Sequence, residues 1–385
     1  MPDPLTEAHQ AADADFSPYA GTAIVETFGE PQAEYAAFHR AAALLDCPQR
    51  GVLRLTGKDR LPFLGNLLTA NVTALTPGHA TPSLLLNLKG RIVAELNVVE
   101  TADATLVETE AHLLDMLADL FDRYLIVDDV TIERPDLRLF SVHGETAGEV
   151  LDQATDNDLP ELAVGDAVDG RLVGKDATIF RHDTTGHPGL HLLVPTESAL
   201  DVWEHLSAVG GSPDPARPQM KRLRPAGWAA FNACRIEGGR VLPGIDYALA
   251  APSLPRVQTE NAELGKGVLP AELPHFDQVV SVTKGCYLGQ EVVARMYARK
   301  VVARRICGFR VEGEALPHAG AEVYDAGGEK QIGVVSSSTL SPVLSRASIG
   351  FTYLPKTHFD VGSELQIMAE GERRPARVVA LPFHA

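Results

Sequence analysis

One cysteine stands in a short run whose neighbours favour reactivity. The run reads K-G-C-Y-L-G-Q-E over residues 284–291, and the residues that follow, up to Arg299, have helical character. A nearby ammonium and a helix start both favour a thiolate, and they can lower a cysteine pKa from ~8.5 by one or more units. The pattern therefore predicts a reactive thiol at Cys286, its anion stabilised by Lys284 and the helix start. A small buried residue is the alternative, because free cysteine is usually buried.

Other residues of the same run complete the predicted site. Tyr287 follows the thiol, and Gln290 and Glu291 are predicted to orient the loop. A glutamate in the first helical turn also complements the helix dipole. Arg295 and Arg299 are one turn apart and share a face. They predict a basic surface for an acidic ligand tail, a phosphate or an acidic partner, with a solvated helix face as the alternative.

The pattern of strands and helices predicts an α+β fold that positions this run. Strand, helix, hairpin, helix and strand follow one another between residues 51 and 132, which is the order of a ferredoxin-like split βαβ unit. A second unit of similar order follows between residues 137 and 209. Helices are also predicted over 35–45 and over 220–236, the second interrupted or offset by Pro225. From Arg304 onward, short alternating strands separated by glycine and proline predict a small antiparallel β-barrel.

These elements predict a domain organisation. Residues 1–33 form a mobile tail, residues 34–303 form two lobes (34–135 and 136–303), and residues 304–385 form the barrel. The stretch 238–276 is rich in glycine, proline and alanine, and is expected to wind over the surface around a site. The role of its central insertion, residues 248–276, does not follow from the sequence.

Composition narrows the class of protein. The 385 residues carry a net charge of −17, which opposes nonspecific binding to nucleic acid or anionic membrane. The sequence contains no uncharged apolar run of about 18 residues, so we expect no membrane span. The four cysteines are sparse, which fits a reducing cytoplasm. Cys234 and Cys307 are expected in the core. His182, His187 and His191 lack companion cysteines, so no metal site is predicted.

The octapeptide at 284–291 resembles the signature of the YgfZ-type folate-binding proteins, which belong to the superfamily of the glycine-cleavage T-protein (aminomethyltransferase). Further segments are similar to superfamily motifs: G-K-D-R-L-P-F-L at 57–64, L-L-T-A-N-V at 67–72, L-L-N-L-K-G-R-I at 85–92 and R-I-E-G-G at 235–239. The similarity spans residue 35 to the end. It implies a ring of three lobes around a folate-sized channel, with a C-terminal barrel.

The resemblance also implies residues that bind tetrahydrofolate or a derivative. Glu237 matches the glutamate that holds the pterin edge, with pairing to Arg235 or capping of a turn as the alternative. Trp228 and Phe231, at i and i+3 of the preceding helix, are candidate walls for the pterin face or ordinary core residues. Asn87 and Arg295 complete the predicted folate-binding set.

Asn71 departs from the family pattern. The resemblance places an aspartate at this position in aminomethyltransferases and assigns it proton transfer. Asparagine is neutral and cannot act as a general base, although it can still form hydrogen bonds with folate.

These observations predict a cytoplasmic tetrahydrofolate-binding protein that supports iron–sulfur cluster assembly or repair through Cys286. Its expected partners are folate and iron–sulfur proteins or assembly factors. A single cysteine does not hold a cluster that four thiolates normally bind. A folate-dependent aminomethyltransferase is the first alternative, and if the chain is an enzyme this is its expected activity. A non-catalytic interaction scaffold is the second alternative.

Overall fold

The computed structural model describes residues 3–211, 213–214, 217–251, 267–299 and 302–383. The chain divides into two compact units, each drawn from three stretches of sequence. The first unit comprises Met1–Gly65, Val72–Pro82 and Leu96–Asn232, and the second comprises Asn66–Asn71, Ser83–Glu95 and Ala233–Ala385. The predicted boundaries at 33, 135 and 303 are sequential, whereas these units interleave distant segments. Among the described helices, none is long and apolar enough to cross a membrane.

Helices and strands are numbered here in chain order. The helices are α1 (Pro4–Ala11), α2 (Pro31–Arg40), α3 (Arg60–Leu67), α4 (Leu114–Tyr124), α5 (Ala147–Ala154), α6 (Ala199–Gly210), α7 (Trp228–Glu237), α8 (Phe276–Val279) and α9 (Gln290–Arg299). The strands are β1 (Asp15–Tyr19), β2 (Thr22–Thr27), β3 (Ala42–Asp46), β4 (Arg50–Thr56), β5 (His79–Leu86), β6 (Ile92–Glu100), β7 (Thr105–Glu110), β8 (Thr131–Glu133), β9 (Leu137–His143), β10 (Ala167–Leu172), β11 (Lys175–Arg181), β12 (Gly189–Pro195), β13 (Pro213–Asp214), β14 (Arg217–Lys221), β15 (Leu223–Pro225), β16 (Arg304–Val311), β17 (Glu322–Asp325), β18 (Gln331–Ser341), β19 (Ala347–Pro355), β20 (Glu364–Ala369) and β21 (Glu372–Val379).

The first unit is built on a six-stranded sheet in the order β10-β11-β12-β9-β3-β15. Its core joins the buried faces of α1, α5 and α6 to the sheet, and includes Leu5, Phe140, Leu151, Leu192 and Trp203. Burial of large apolar side chains at about 25 cal/mol per Å² is the main force that holds these layers together.

A second sheet has the order β5-β6-β7-β4-β8. Every residue of β6 is buried, as expected for a strand covered on both faces. Helix α4 is amphipathic and buries Leu117 and Phe121. The predicted order of strand, helix, hairpin, helix and strand is therefore confirmed for β4 to β8.

The second unit contains a closed antiparallel barrel in the order β16-β19-β18-β17-β20-β21. Its interior is filled by apolar side chains from alternating positions, including Phe309, Val323 and Ile367, each of which is fully buried. The predicted barrel is confirmed, and its first strand begins at Arg304, the residue at which the barrel domain was predicted to begin.

Two predicted helices differ from the structure. The expected helix over 35–45 ends at Arg40, and Ala42–Asp46 is a strand because its buried residues pair with β9 and β15. The expected helix over 220–236 is a short strand, β15, followed by α7, since Pro225 disfavours helix at the residue before it.

The predicted mobile tail is also structured over its described residues. Helix α1 and the hairpin of β1 and β2 occupy this stretch, and Leu5 and His9 are almost fully buried. His9 forms an ion pair with Asp46 at 3.0 Å when the imidazole is protonated. Burial and pairing of this kind tie a terminus to its domain.

Candidate functional site

The cysteine run lies in the second unit, in a loop that leads into α9. Cys286 is exposed, four residues before the helix begins at Gln290, and the next side chain, Tyr287, is buried. The exposed thiol is accessible, as the reactive interpretation requires. The alternative of a small buried residue is wrong for Cys286.

The other three cysteines are buried. Burial raises the pKa of Cys47 and Cys307 to about 12 and raises that of Cys234 well above its usual range. Buried thiols of this kind stay protonated and unreactive. The expectation that Cys234 and Cys307 belong to the core is confirmed.

The ammonium of Lys284 contacts backbone oxygens. Its Nζ donates to the carbonyl of Leu68 at 2.5 Å and to that of Ala70 at 3.0 Å, and it lies 5.1 Å from the centre of the Tyr287 ring. These contacts give Lys284 a structural function that the sequence did not suggest. Its predicted second function, stabilising the Cys286 anion, stays a prediction.

We expect the stability of this unit to depend on pH through Lys284. Burial lowers the pKa of Lys284 to about 8, whereas an exposed lysine titrates near ~10.4. Between these two pKa values the unfolded chain binds more protons than the folded chain, so stability rises with pH. The cost of burying the charged ammonium is complete below pH 8 and disappears as the pH rises toward ~10.4. Since the side chain is half exposed, the change should be less than about 1 kcal/mol.

Urea unfolding at pH 7 and pH 9.5 measures this effect. Wild-type protein should gain stability at the higher pH relative to Lys284→Met, whereas Lys89→Met, which alters an exposed lysine of the same unit, should behave as wild type. Equal pH dependence in the wild type and Lys284→Met would contradict the prediction.

The segment that carries Asn71 is bonded to the cysteine loop. The amide of Leu288 donates to the carbonyl of Asn66 at 3.1 Å, and that of Ser281 donates to the carbonyl of Thr69 at 2.9 Å. Asn71 itself is exposed. The fold therefore brings residues 66–71 and 281–288 together, although they lie more than 200 positions apart in the sequence.

Helix α9 exposes most of its side chains. Glu291 and Arg295 form an i,i+4 ion pair at 2.5 Å, with exposed fractions of 85% and 57%. Exposed pairs contribute about 0–1 kcal/mol, so this pair adds little to stability. The half-buried Gln290 begins the helix, and its amide donates to the carbonyl of Tyr287 at 3.2 Å. The predicted loop-orienting and tail-binding functions of these side chains stay predictions.

Gly289, the residue before helix α9, approaches closely the turn over residues 87–91, which begins with Asn87. The Asn87 Oδ1 accepts the amides of Lys89 and Arg91 at 2.9 and 3.1 Å, which occupies this side chain in the turn. Gly289 has a φ of +78°, and a Cβ at this position would lie 2.5 Å from the Asn87 carbonyl oxygen. Only glycine fits this conformation and this approach without strain.

Substitution of Gly289 by alanine should destabilise the protein by about 1–3 kcal/mol, because left-handed strain adds to the clash with backbone. Gly285→Ala is the matched control, since a Cβ at Gly285 would meet nothing within 4 Å. Its effect should stay within about 0.5 kcal/mol. Thermal unfolding followed by circular dichroism compares the two variants, and equal midpoints would contradict the prediction.

Glu237 lies in a buried polar network of the second unit. It is fully buried, and its Oε1 accepts the hydroxyl of Ser341 at 2.5 Å. The neighbouring Arg235, also fully buried, pairs with Asp246 at 2.7 Å and donates to Ser337 at 2.9 Å. The Arg235 ion pair is thus made with Asp246. The predicted binding of a pterin edge by Glu237 stays a prediction.

Trp228 and Phe231 belong to a row of aromatic rings in the first unit. Both side chains are half-buried, and their ring centres lie 5.4 Å apart. Tyr19 lies 5.2 Å from Trp228 at one end of the row, and His143 lies 5.8 Å from Phe231 at the other. Spacings of 4.5–7 Å are those of interacting aromatic pairs. The two predicted wall residues therefore lie together.

Three buried polar side chains of the first unit, of which His143 adjoins this row, lack hydrogen-bond partners among the residues that the structure describes. Both ring nitrogens of the fully buried His143 are unpaired, as are the hydroxyls of Thr184 and Thr185. Burial lowers the pKa of His143 to about 3, so the ring is neutral at pH 7. An unpaired buried polar group costs about 1–3 kcal/mol, which a polar ligand would offset.

Sequence reasoning missed these three residues. The two threonines stand in T-T-G-H-P-G at 184–189, the turn between β11 and β12, where polar residues are ordinary. Asp183 closes this turn by accepting the amide of Gly189 at 2.9 Å, and the amide of Gly144 donates to the carbonyl of Pro188 at 2.9 Å. The usable signal was His143 itself, a histidine at the end of β9, a strand whose last five residues are all buried.

The three histidines considered as metal ligands lie in the same part of the first unit. His191 is 5.7 Å from the ring centre of His143 and 5.6 Å from that of His182, while His187 bonds to His39 at 2.9 Å. We assign no metal to these residues, and the expectation of no metal stays a prediction.

Comparison with known proteins identifies two family domains and relatives that match nearly the full chain. The GCVT N-terminal domain matches residues 5–250, and the glycine cleavage T-protein C-terminal barrel domain matches residues 304–384. An aminomethyltransferase of Saccharopolyspora erythraea is 29% identical over 99% of this chain and 97% of its own. One from Chloroherpeton thalassium is 28% identical over 99% and 98%.

A solved structure shows the same fold. The crystal structure of glycine cleavage system aminomethyltransferase T from Bartonella henselae has a TM-score of 0.83 and 22% identity, and covers 99% of this chain and 97% of that chain. The mixed α/β lobes and the closed barrel are those expected from the sequence motifs.

Proposed function

Because the chain belongs to the glycine cleavage T-protein family, whose N-terminal domain matches more than half of its residues, we propose that it binds a reduced folate and transfers to it the methylene carbon of a carrier-bound aminomethyl group, so that methylenetetrahydrofolate forms while ammonia and the carrier thiol leave. Relatives named aminomethyltransferase match it over nearly its full length. The observation that carries the folate part is the aromatic row that ends at His143, a fully buried ring whose two nitrogens are unpaired among the described residues.

This set of side chains suits a flat, polar heterocycle. Trp228 and Phe231 offer aromatic surface for stacking. A neutral His143 donates from one ring nitrogen and accepts at the other, which complements an edge that carries both N–H and C=O groups. The hydroxyls of Thr184 and Thr185 add donors and acceptors. These residues would bind and orient the pterin and exclude water from it.

The remaining predicted folate residues stay part of the proposal. Glu237 would accept N–H bonds from a pterin edge, Asn87 and Asn71 would add hydrogen bonds, and Arg295 would pair with an acidic tail. Asn71 is neutral and exposed, so we assign no proton transfer to it. The tetrahydrofolate supplies the nitrogen atoms that carry the one-carbon unit.

A second candidate function rests on the exposed thiol of Cys286. The narrower resemblance to YgfZ-type proteins implies support of iron–sulfur proteins, in which this thiol would engage iron, sulfur or a client thiol. An exposed cysteine has no evident task in aminomethyl transfer. This function shares folate binding with the first and differs in whether residue 286 is required.

Calorimetry with tetrahydrofolate tests the shared part. We expect heat of binding and a raised unfolding temperature, because a ligand that binds only the folded state stabilises it. If the protein shows neither effect, the folate proposal is wrong and the non-catalytic interaction scaffold is the remaining alternative.

An assay with an aminomethyl-loaded carrier protein separates the two functions. Release of methylenetetrahydrofolate that persists in Cys286→Ala supports the transferase. No turnover in the wild type, together with lower activity of iron–sulfur enzymes in cells that carry Cys286→Ala, supports the second function. Normal iron–sulfur activity in those cells would contradict it.

A further inference from the structure

A groove on the outer surface of the barrel collects arginine side chains. It has a volume of about 520 Å³ and is lined by residues of β16, β21 and the turn before β19. Cavities of about 300–1,000 Å³ are typical of small-molecule sites. Arg310, Arg346 and Arg377 line it, together with Glu312 and Glu314.

Arg310 and Arg377 stand directly opposite each other on paired strands. Both are exposed, whereas the residues before and after each of them are buried in the barrel, so both arginines point outward. Side chains opposite each other on one face have Cβ atoms about 4.5–5.5 Å apart, and like charges in such a pair are destabilising.

Neither arginine is neutralised. Within the described part of the chain, Arg310 and Arg377 form no ion pair and no side-chain hydrogen bond. Glu364 stands opposite Arg377 on the neighbouring strand β20, but it does not pair with Arg377. Two unpaired guanidinium groups therefore face the same groove. Packing of the barrel does not require charge at these outward positions.

The rim of the groove is held in an unfavourable backbone conformation. Ser345 and Arg346 have φ values of 58° and 60°, a left-handed pair without glycine. The amide of Arg346 donates to the carbonyl of Ser341 at 2.8 Å, and its Nε pairs with Glu314 at 3.1 Å. Backbone strain of this kind persists where surrounding contacts enforce it, and it is common at ligand sites.

We propose that this groove binds a phosphate-class oxyanion between Arg310 and Arg377, with Arg346 at the rim. A phosphate group carries about −1.5 to −2 charges at pH 7, which matches two guanidinium groups better than a single carboxylate does. Arginine forks bind such oxygens through paired hydrogen bonds. The net charge of −17 repels anions in general, so binding here would come from the local arginines. The proposal is independent of the proposed function.

Titration calorimetry on the full chain in 50 mM KCl tests this site with three phosphate anions (inorganic phosphate, pyrophosphate and a nucleoside diphosphate) and with triglutamate as a carboxylate comparison. The variants are Arg310→Gln, Arg377→Gln and their double. Arg374→Gln, on the same strand and paired with Glu372 at 2.9 Å, is the matched control. We expect each single variant to weaken binding about tenfold or more, since bonds to charged groups contribute about 1.5–3 kcal/mol. The double variant should lose binding, and the control should keep it.

The outcomes separate the sources of the anion. Equal affinity for phosphate and the diphosphates supports free phosphate as the ligand, and tighter binding of a diphosphate supports a phosphorylated metabolite. Without ligand, the double variant should melt no lower than the wild type, because a repulsive pair is removed. Absence of binding by all three anions, binding that persists in the double variant, or tighter binding of triglutamate than of any phosphate would overturn the proposal.

Discussion

We expect Asp246→Ala to lower the free energy of unfolding by about 3–5 kcal/mol, because it leaves a buried guanidinium without its counter-charge. The side chains of Asp246 and Arg235 are both fully buried and pair at 2.7 Å. The same carboxylate accepts the hydroxyl of Ser336 at 2.8 Å and the amide of Leu242 at 2.9 Å. Its loss therefore removes an acceptor from three donors at once, and Arg235, which keeps only neutral acceptors among the described residues, loses its counter-charge.

Two comparisons isolate the buried charge in urea unfolding followed by circular dichroism. The double variant Arg235→Met, Asp246→Leu should cost clearly less than Asp246→Ala, because both charges are then absent from the interior. Glu372→Ala removes the partner of an exposed pair with Arg374 and should cost less than about 1 kcal/mol. A loss below 1 kcal/mol in Asp246→Ala would show that the pair is not buried as described.

Replacement of His143 by leucine should change folate binding and stability in opposite directions. Both ring nitrogens are buried and unpaired among the described residues, so the wild type carries a desolvation cost of about 1–3 kcal/mol that leucine does not. We expect the free energy of unfolding to be unchanged or higher. If the ring bonds to the pterin, tetrahydrofolate should bind about 10–100-fold more weakly, about tenfold for each lost hydrogen bond.

Thr185→Val is a second, nearly isosteric probe of the same site. It removes a fully buried hydroxyl that has no partner in the described structure, so stability should not fall while folate binding weakens about tenfold. Thr178→Val is the control, because its hydroxyl donates to Asp169 on the exposed side of the sheet. Wild-type affinity in both His143→Leu and Thr185→Val would move the folate site elsewhere, and Glu237→Gln would then be the next variant to test.

The architecture was largely predictable because the signals are local. Amphipathic spacing identified α4, whose Leu117 and Phe121 are buried, and alternation with glycine turns identified the barrel strands. The predicted helix over 35–45 shows where local signals fail, because its last residues form a strand. Ala42–Asp46 has residues that suit a helix, and it forms a strand because β9 and β15 bury it on both edges.

The site was predictable only in part. The exposure of Cys286 and the closeness of Trp228 and Phe231 follow from residues near one another in the chain. The use of Lys284 to bind backbone groups does not, because its partners Leu68 and Ala70 lie more than 200 residues away.

The sequence by itself determined the family, the elements and a thiol ahead of a helix, since periodicity and motif spacing are properties of neighbouring residues. Only the tertiary structure decided which polar groups are paired. Burial of His143 without a partner, the pairing of Arg235 with Asp246 and the opposition of Arg310 to Arg377 each depend on segments that folding brings together. Desolvation and electrostatic energies depend on distance in space, so separation along the chain does not reveal them.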